Sequence, residues 1–159
     1  MKTALVQLDG DGLRFRAQSG SGHSLVMDDA EGDGGPRPIE LLLVGLAGCT
    51  AMDVISILRK KRQVVEDYEV SVSGVRRTEH PRAFTEIEVR HLVRGPVDPE
   101  AVRRSIELSA ERYCSVGGAL SSGIARIRHA YEVQRPDGVV TGVASVLGPN
   151  RTLDVEVTA

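Results

Sequence analysis

Residues 38–62 read PIELLLVGLAGCTAMDVISILRKKR, and the fold turns on how that stretch is interpreted. From Leu41 to Met52 there is no charged side chain, and Cys49 sits within the run. Pro38 suits the first position of a helix, where its missing N–H would have no partner anyway. Arg59, Lys60, Lys61 and Arg62 suit a helix C-terminus, where cations meet the negative end of the dipole. Leu41, Leu42, Leu43, Val44, Leu46, Ala47, Val54, Ile55, Ile57 and Leu58 put apolar side chains on every face, the mark of a core helix or a membrane span. A span needs about 20 apolar residues, more than the uncharged run supplies. The stretch is therefore predicted to be a central, buried helix. Gly45 and Gly48 each cost roughly 1 kcal/mol against Ala in a helix interior. They predict the close approach of another backbone: a second copy of the helix across a dyad, or a crossing element of the same chain.

The chain has 159 residues, enough for one domain with a core of its own. Its net charge is −2 with both signs mixed, which argues against a nucleic-acid footprint. With no Trp, three Tyr and two Phe, it is also poor in base-stacking surfaces. The start, MKTALVQLDGDG, has no long apolar region of the secretory type, so a cytoplasmic protein with no membrane partner is expected. In a reducing compartment, Cys49 and Cys114 read as redox-active, metal-binding or buried rather than as a structural disulfide.

The predicted order is a β-meander within residues 1–30, a polar Gly/Pro loop, the central helix 38–62 and a β-hairpin 67–94. A second helix 98–114 and a last strand 126–134 follow. Tyr68, Val70 and Val72 alternate with polar residues, as do Ile87, Val89, His91 and Val93. Asp98-Pro99-Glu100 combines a capping Asp, a Pro at the first position and an early acid, a strong helix start. Residues 1–135 form one predicted domain. Residues 136–159 form a C-terminal extension that reads as a hairpin around Gly148-Pro149-Asn150. Helices separated by antiparallel hairpins give an α+β fold. One small domain covers so long an apolar helix only in part, which again points to a dimer.

A thiol is a nucleophile only as thiolate, and a cation, metal or helix N-terminus must lower its pKa. Cys49 lies far from the start of its helix, so a basic partner is needed: Arg14, Arg16 or Arg37. Asp53, one turn on, opposes ionisation. On residue types alone, Cys49 reads as a buried and inert thiol.

The local patterns alter that reading. Pro38-Ile39-Glu40-Leu41-Leu42-Leu43, Gly48-Cys49-Thr50-Ala51-Met52-Asp53-Val54, Leu108-Ser109 and Tyr113-Cys114-Ser115-Val116 resemble the OsmC/Ohr family, the osmotically induced and organic-hydroperoxide-resistance proteins. The likeness is closest to the YhfA-like branch and covers roughly residues 13–133. The resemblance implies two central helices wrapped by antiparallel sheets in an intertwined homodimer. It also implies a cysteine peroxidase that needs no metal or organic cofactor. Cys49 would attack a small hydroperoxide and become a sulfenic acid. Cys114 would condense with it to a disulfide, and an external dithiol would reduce that bond.

One position departs from the pattern. Peroxidase members carry an acid ten residues before the first cysteine, where this chain has Ile39. Glu40 is the nearest acid, and on an ideal helix it faces away from Cys49. Glu40 and Arg14 are the candidates to complete the site. The four histidines, His23, His80, His91 and His129, lack ligand spacing and read as ordinary surface or sheet residues. The departure motivates an alternative: a non-catalytic protein of the same scaffold that binds a small hydrophobic ligand at the dimer interface.

Overall fold

The computed structural model describes residues 1–123 and 125–144. These form two compact units, residues 1–42 and the part that begins at Leu43. In the first, β1 (Ala4–Leu8), β2 (Phe15–Ser19) and β3 (Ser24–Met27) make an antiparallel meander in the order β1-β2-β3. Gly22, with φ of 89°, turns the chain between β2 and β3 in a conformation that L side chains rarely adopt.

Helix α1 runs from Pro38 to Lys60. Its end has a local cause. Arg62 takes a left-handed φ of 57°, its N–H bonds Arg59 O at 2.9 Å, and the Gln63 N–H bonds Leu58 O at 3.0 Å. That pair of bonds is a Schellman closure, here without the usual glycine. The helix is long and apolar enough to cross a membrane by length and composition. It instead buries one stripe, Leu46, Thr50, Val54 and Leu58, at the four-residue spacing of a single helical face. Leu42, Val44 and Met52 stay 41%, 63% and 74% exposed. The prediction of burial on every face is therefore met on one face only within a single chain. The two glycines are also not explained by a crossing backbone. A Cβ at Gly45 would meet only the Val116 side chain, at 3.9 Å, and one at Gly48 would meet nothing within 4 Å.

After α1, strands β4 (Asp67–Arg76), β5 (Phe84–Arg94), β6 (Arg126–Arg135) and β7 (Gly138–Ala144) form a sheet in chain order. β4–β5 and β6–β7 are antiparallel, but β5–β6 is parallel. The sheets are antiparallel-rich, as predicted, with one parallel pair. A parallel pair needs a long crossover. Here it is α2 (Pro99–Leu108), one turn of π-helix (Ser109–Tyr113) and α3 (Ser115–Ser121). Asp98 caps α2 by accepting the Glu100 N–H at 3.1 Å, with Pro99 at the first position. The predicted helix 98–114 is thus two segments, α2 and the π-turn, and α3 follows it. β7 is the described part of the predicted C-terminal extension, and it adds a strand to the main sheet. The hairpin predicted around Gly148 lies outside the described residues.

The core of this unit joins Val54 and Leu58 of α1 to Val93, Val133 and Ala144 of the sheet and Ala101, Val102 and Ile106 of α2. Leu58 is fully buried there. Leu58→Ala is expected to cost about 2–5 kcal/mol, read as a lower urea midpoint at unchanged slope.

Candidate active site

Helix α1 carries Cys49 and Asp53 four residues apart, hence on one face, with Thr50 on the adjoining buried stripe. The π-turn supplies the facing residues. Its bond from the Cys114 N–H to Ser109 O, at 2.8 Å, closes over five residues and holds Ser109 and Cys114 together. Such turns are frequent at functional sites because one extra residue re-aims the side chains that follow. Cys114 is at once the C-cap of that turn and the N-cap of α3, with Sγ accepting the Gly117 N–H at 3.3 Å. A Cβ at Gly117 would stand 3.2 Å from that sulfur, so a larger residue would crowd it.

The outcome is a cluster. Cys49 Sγ, Cys114 Sγ and a carboxylate oxygen of Asp53 all lie within 4.8 Å of one another. Both cysteines are free thiols. Thr50 Oγ1 shares a hydrogen with Cys114 Sγ at 3.4 Å, and Ser109 Oγ donates to Asp53 Oδ2 at 3.0 Å. The two thiols differ in setting. Cys49 is half-buried and Cys114 is buried. Burial pushes the Cys114 thiol above its usual pKa; the Thr50 and Gly117 hydrogen bonds oppose that, and Cys49 adds to it. Among the described residues, no cation is among the groups that act on Cys114.

The other predicted site residues hold contacts within residues 1–42. Arg14 Nε pairs with Asp9 at 3.3 Å. Glu40, in the first turn of α1, accepts the Arg37 N–H at 2.9 Å, a capping role at the helix start.

Sequence reasoning passed over a second polar group. Tyr68 Oη lies 2.8 Å from His91 Nδ1, and His91 Nε2 lies 3.3 Å from His129 Nδ1. The rings are stacked, and both histidines are buried. They are sheet residues as predicted, but neither is at the surface. One chain of donors satisfies all three: Tyr68 O–H to His91 Nδ1, then His91 Nε2–H to His129 Nδ1. Burial holds His91 down to about 3, helped by His129, and His129 down to about 4. Burial and the nearby Asp53 charge push the Tyr68 phenol up. The signal was present in the sequence, since alternation sets His91 among Ile87, Val89 and Val93 on the apolar face.

The family model for OsmC-like proteins matches residues 30–127, which include both cysteines. The chain belongs to the OsmC-like protein family. The OsmC-like chain is 46% identical to Protein YhfA of Escherichia coli K12 over 124 residues, 77% of this chain and 92% of YhfA. A crystal structure of a hypothetical protein from Aquifex aeolicus VF5 superposes with a TM-score of 0.74 at 32% identity, covering 85% of this chain and 97% of that one. An organic hydroperoxide resistance protein from Elizabethkingia anophelis, crystallised with thiocyanate bound, shares the fold at a TM-score of 0.61. Its identity is 17%, with 85% of this OsmC-like chain and 96% of the other covered, so that likeness concerns fold alone. The family expected from the cysteine motifs and the α+β architecture expected with it are both borne out.

Proposed function

We propose that this protein is a thiol-dependent hydroperoxide reductase in peroxide-stress defence. The observation that carries the reading is the approach of Cys49 Sγ and Cys114 Sγ to within 4.8 Å although 64 residues separate them. Membership of the OsmC-like family supports the same class of chemistry.

The unequal settings of the thiols support a division of roles. Cys49 is the more exposed, and burial pushes the Cys114 thiol up. In this reading Cys49, the more accessible sulfur, is the attacking one. It takes the terminal oxygen of ROOH, the O–O bond breaks, and the leaving alkoxide picks up a proton to become the alcohol. Cys114 then attacks the Cys49 sulfenic acid, water leaves, and a disulfide forms. An external dithiol restores both thiols by exchange through a mixed disulfide. The exposed Met52 face of α1 and the open space beside Gly48 support a homodimer in which a second copy covers this helix. Its expected place is the cytoplasm, where dithiol reductants keep such cysteines reduced.

The test is mass spectrometry of the reduced protein after one equivalent of cumene hydroperoxide. A Cys49–Cys114 disulfide, with loss of two hydrogens, is the expected product. Two thiols still free after peroxide would remove the proposal. They would favour the ligand-binding alternative, which the engagement of Arg14 by Asp9 and of Glu40 by the Arg37 N–H also motivates.

A further inference from the structure

Asp53 has no part in the two-thiol mechanism, yet it is the third member of the cluster. A carboxylate beside a thiol that must ionise is unfavourable, because like charges raise one another's cost of ionisation. Two thiols and a carboxylate converging from two elements are, however, a ligand set of the zinc type. We propose that Cys49, Asp53 and Cys114 bind Zn²⁺ in the reduced protein.

The geometry suits the ion. Zn–S bonds of about 2.3 Å and Zn–O bonds of about 2.1 Å at tetrahedral angles place ligand atoms roughly 3.5–3.8 Å apart. The three ligand atoms already lie within 4.8 Å of one another, so closure asks for at most about an ångström of rotamer adjustment. The outer contacts needed to aim the ligands are in place as well. Ser109 Oγ donates to Asp53 Oδ2 at 3.0 Å, which holds the carboxylate in place. The Gly117 N–H and Thr50 hold Cys114 Sγ, and partial charge from such donors steadies a bound thiolate. Three protein ligands leave the fourth position for water, the pattern of an open rather than a sealed zinc site. Cys49 and Asp53 are only partly buried, which gives the ion a way in.

Metal binding stands apart from the peroxidase reading, but it has a consequence that rests on it. The ion and the peroxide need the same two sulfurs. Oxidation of the loaded site by ROOH makes one disulfide, takes up two protons, and yields ROH, water and free Zn²⁺. The reduced protein is thus a zinc carrier that peroxide empties.

Cobalt(II), which takes the same tetrahedral ligands and is visible, is the probe. Titrated into reduced protein without oxygen, it should saturate at one ion per chain. The bound ion should show thiolate-to-cobalt charge transfer in the near ultraviolet and the intense visible bands of a tetrahedral site. Zn²⁺ should then displace it. Cys49→Ser and Cys114→Ser should each lower the charge-transfer band by about half or more, and Asp53→Asn should weaken affinity at least about ten-fold. Far-UV circular dichroism separates loss of the site from loss of fold. Alkylating both cysteines of the unmutated protein gives the same control without a substitution. Weak octahedral bands, or a charge-transfer band untouched by alkylation, would overturn the proposal, whatever the peroxide assay shows. An unchanged affinity in Asp53→Asn would overturn the carboxylate ligand. One equivalent of cumene hydroperoxide should release the bound ion to a chromogenic chelator. Retention of the ion by a protein that still reduces peroxide would overturn the coupling.

Discussion

Cys49→Ser is expected to lower consumption of cumene hydroperoxide, in the presence of a dithiol, by on the order of 10³-fold or more. The serine hydroxyl keeps the size of the thiol but has no accessible anion at neutral pH, so the first step has no nucleophile. Cys114→Ser should behave differently. Its Cys49 can still accept the peroxide oxygen, but the sulfenic acid then has no internal partner, and it persists or moves on to sulfinic acid. A sulfenic-acid reagent such as dimedone should label Cys49 in that variant and not in the unmutated protein, where the disulfide forms. The asymmetry follows from the setting: Cys49 is half-buried, and Cys114 is buried with its thiol pushed up in pKa. Normal turnover in Cys49→Ser, or labelling confined to Cys114 in the reverse variant, would end the assignment.

Mild acid is expected to destabilise the protein through His91 and His129. Folded, they ionise only at about 3 and about 4, whereas an unfolded histidine does so near 6.5. Below about pH 6.5 the unfolded chain therefore binds protons that the folded chain refuses, and stability falls with pH. Above that value both states carry neutral rings, and the contribution is complete. Through the window between about 6 and 4, each histidine removes about 1 kcal/mol per pH unit. Urea unfolding at pH 7 and pH 5 reads the effect as a lower midpoint at pH 5. His129→Asn keeps a polar atom near the Nδ1 position and should shrink the difference between the two midpoints. Equal midpoints for the unmutated protein at both pH values would refute the account.

The chain signals that were read correctly are the local ones. Pro38 and the basic run at 59–62 bracketed α1 to within two residues, and Asp98-Pro99-Glu100 marked α2 to within one. Alternation found β4, β5 and β6 because a strand declares its faces at every second residue. The features missed depend on partners distant in the chain or on backbone states that side chains announce poorly. Arg62 ends α1 in a left-handed turn that composition would assign to glycine. The π-turn at Ser109–Tyr113 has no periodicity that sets it apart from the α-helix before it. Parallel pairing of β5 with β6 is a choice of neighbour, to which alternation is blind. The polarity of His91 and His129 suggested a surface or sheet place, though their register placed them inside.

The sequence by itself determined the α+β class, the family and the two cysteines, because motifs and periodicity are carried by residues close together in the chain. It also singled out Asp53, but only as an obstacle to a thiolate. Tertiary structure alone decided that Cys49, Asp53 and Cys114 share one cluster and that Tyr68, His91 and His129 share one hydrogen-bonded chain. Both arrangements join α1 or β4 to elements that follow much later, and such distances in space are set by packing and strand register rather than by spacing along the chain.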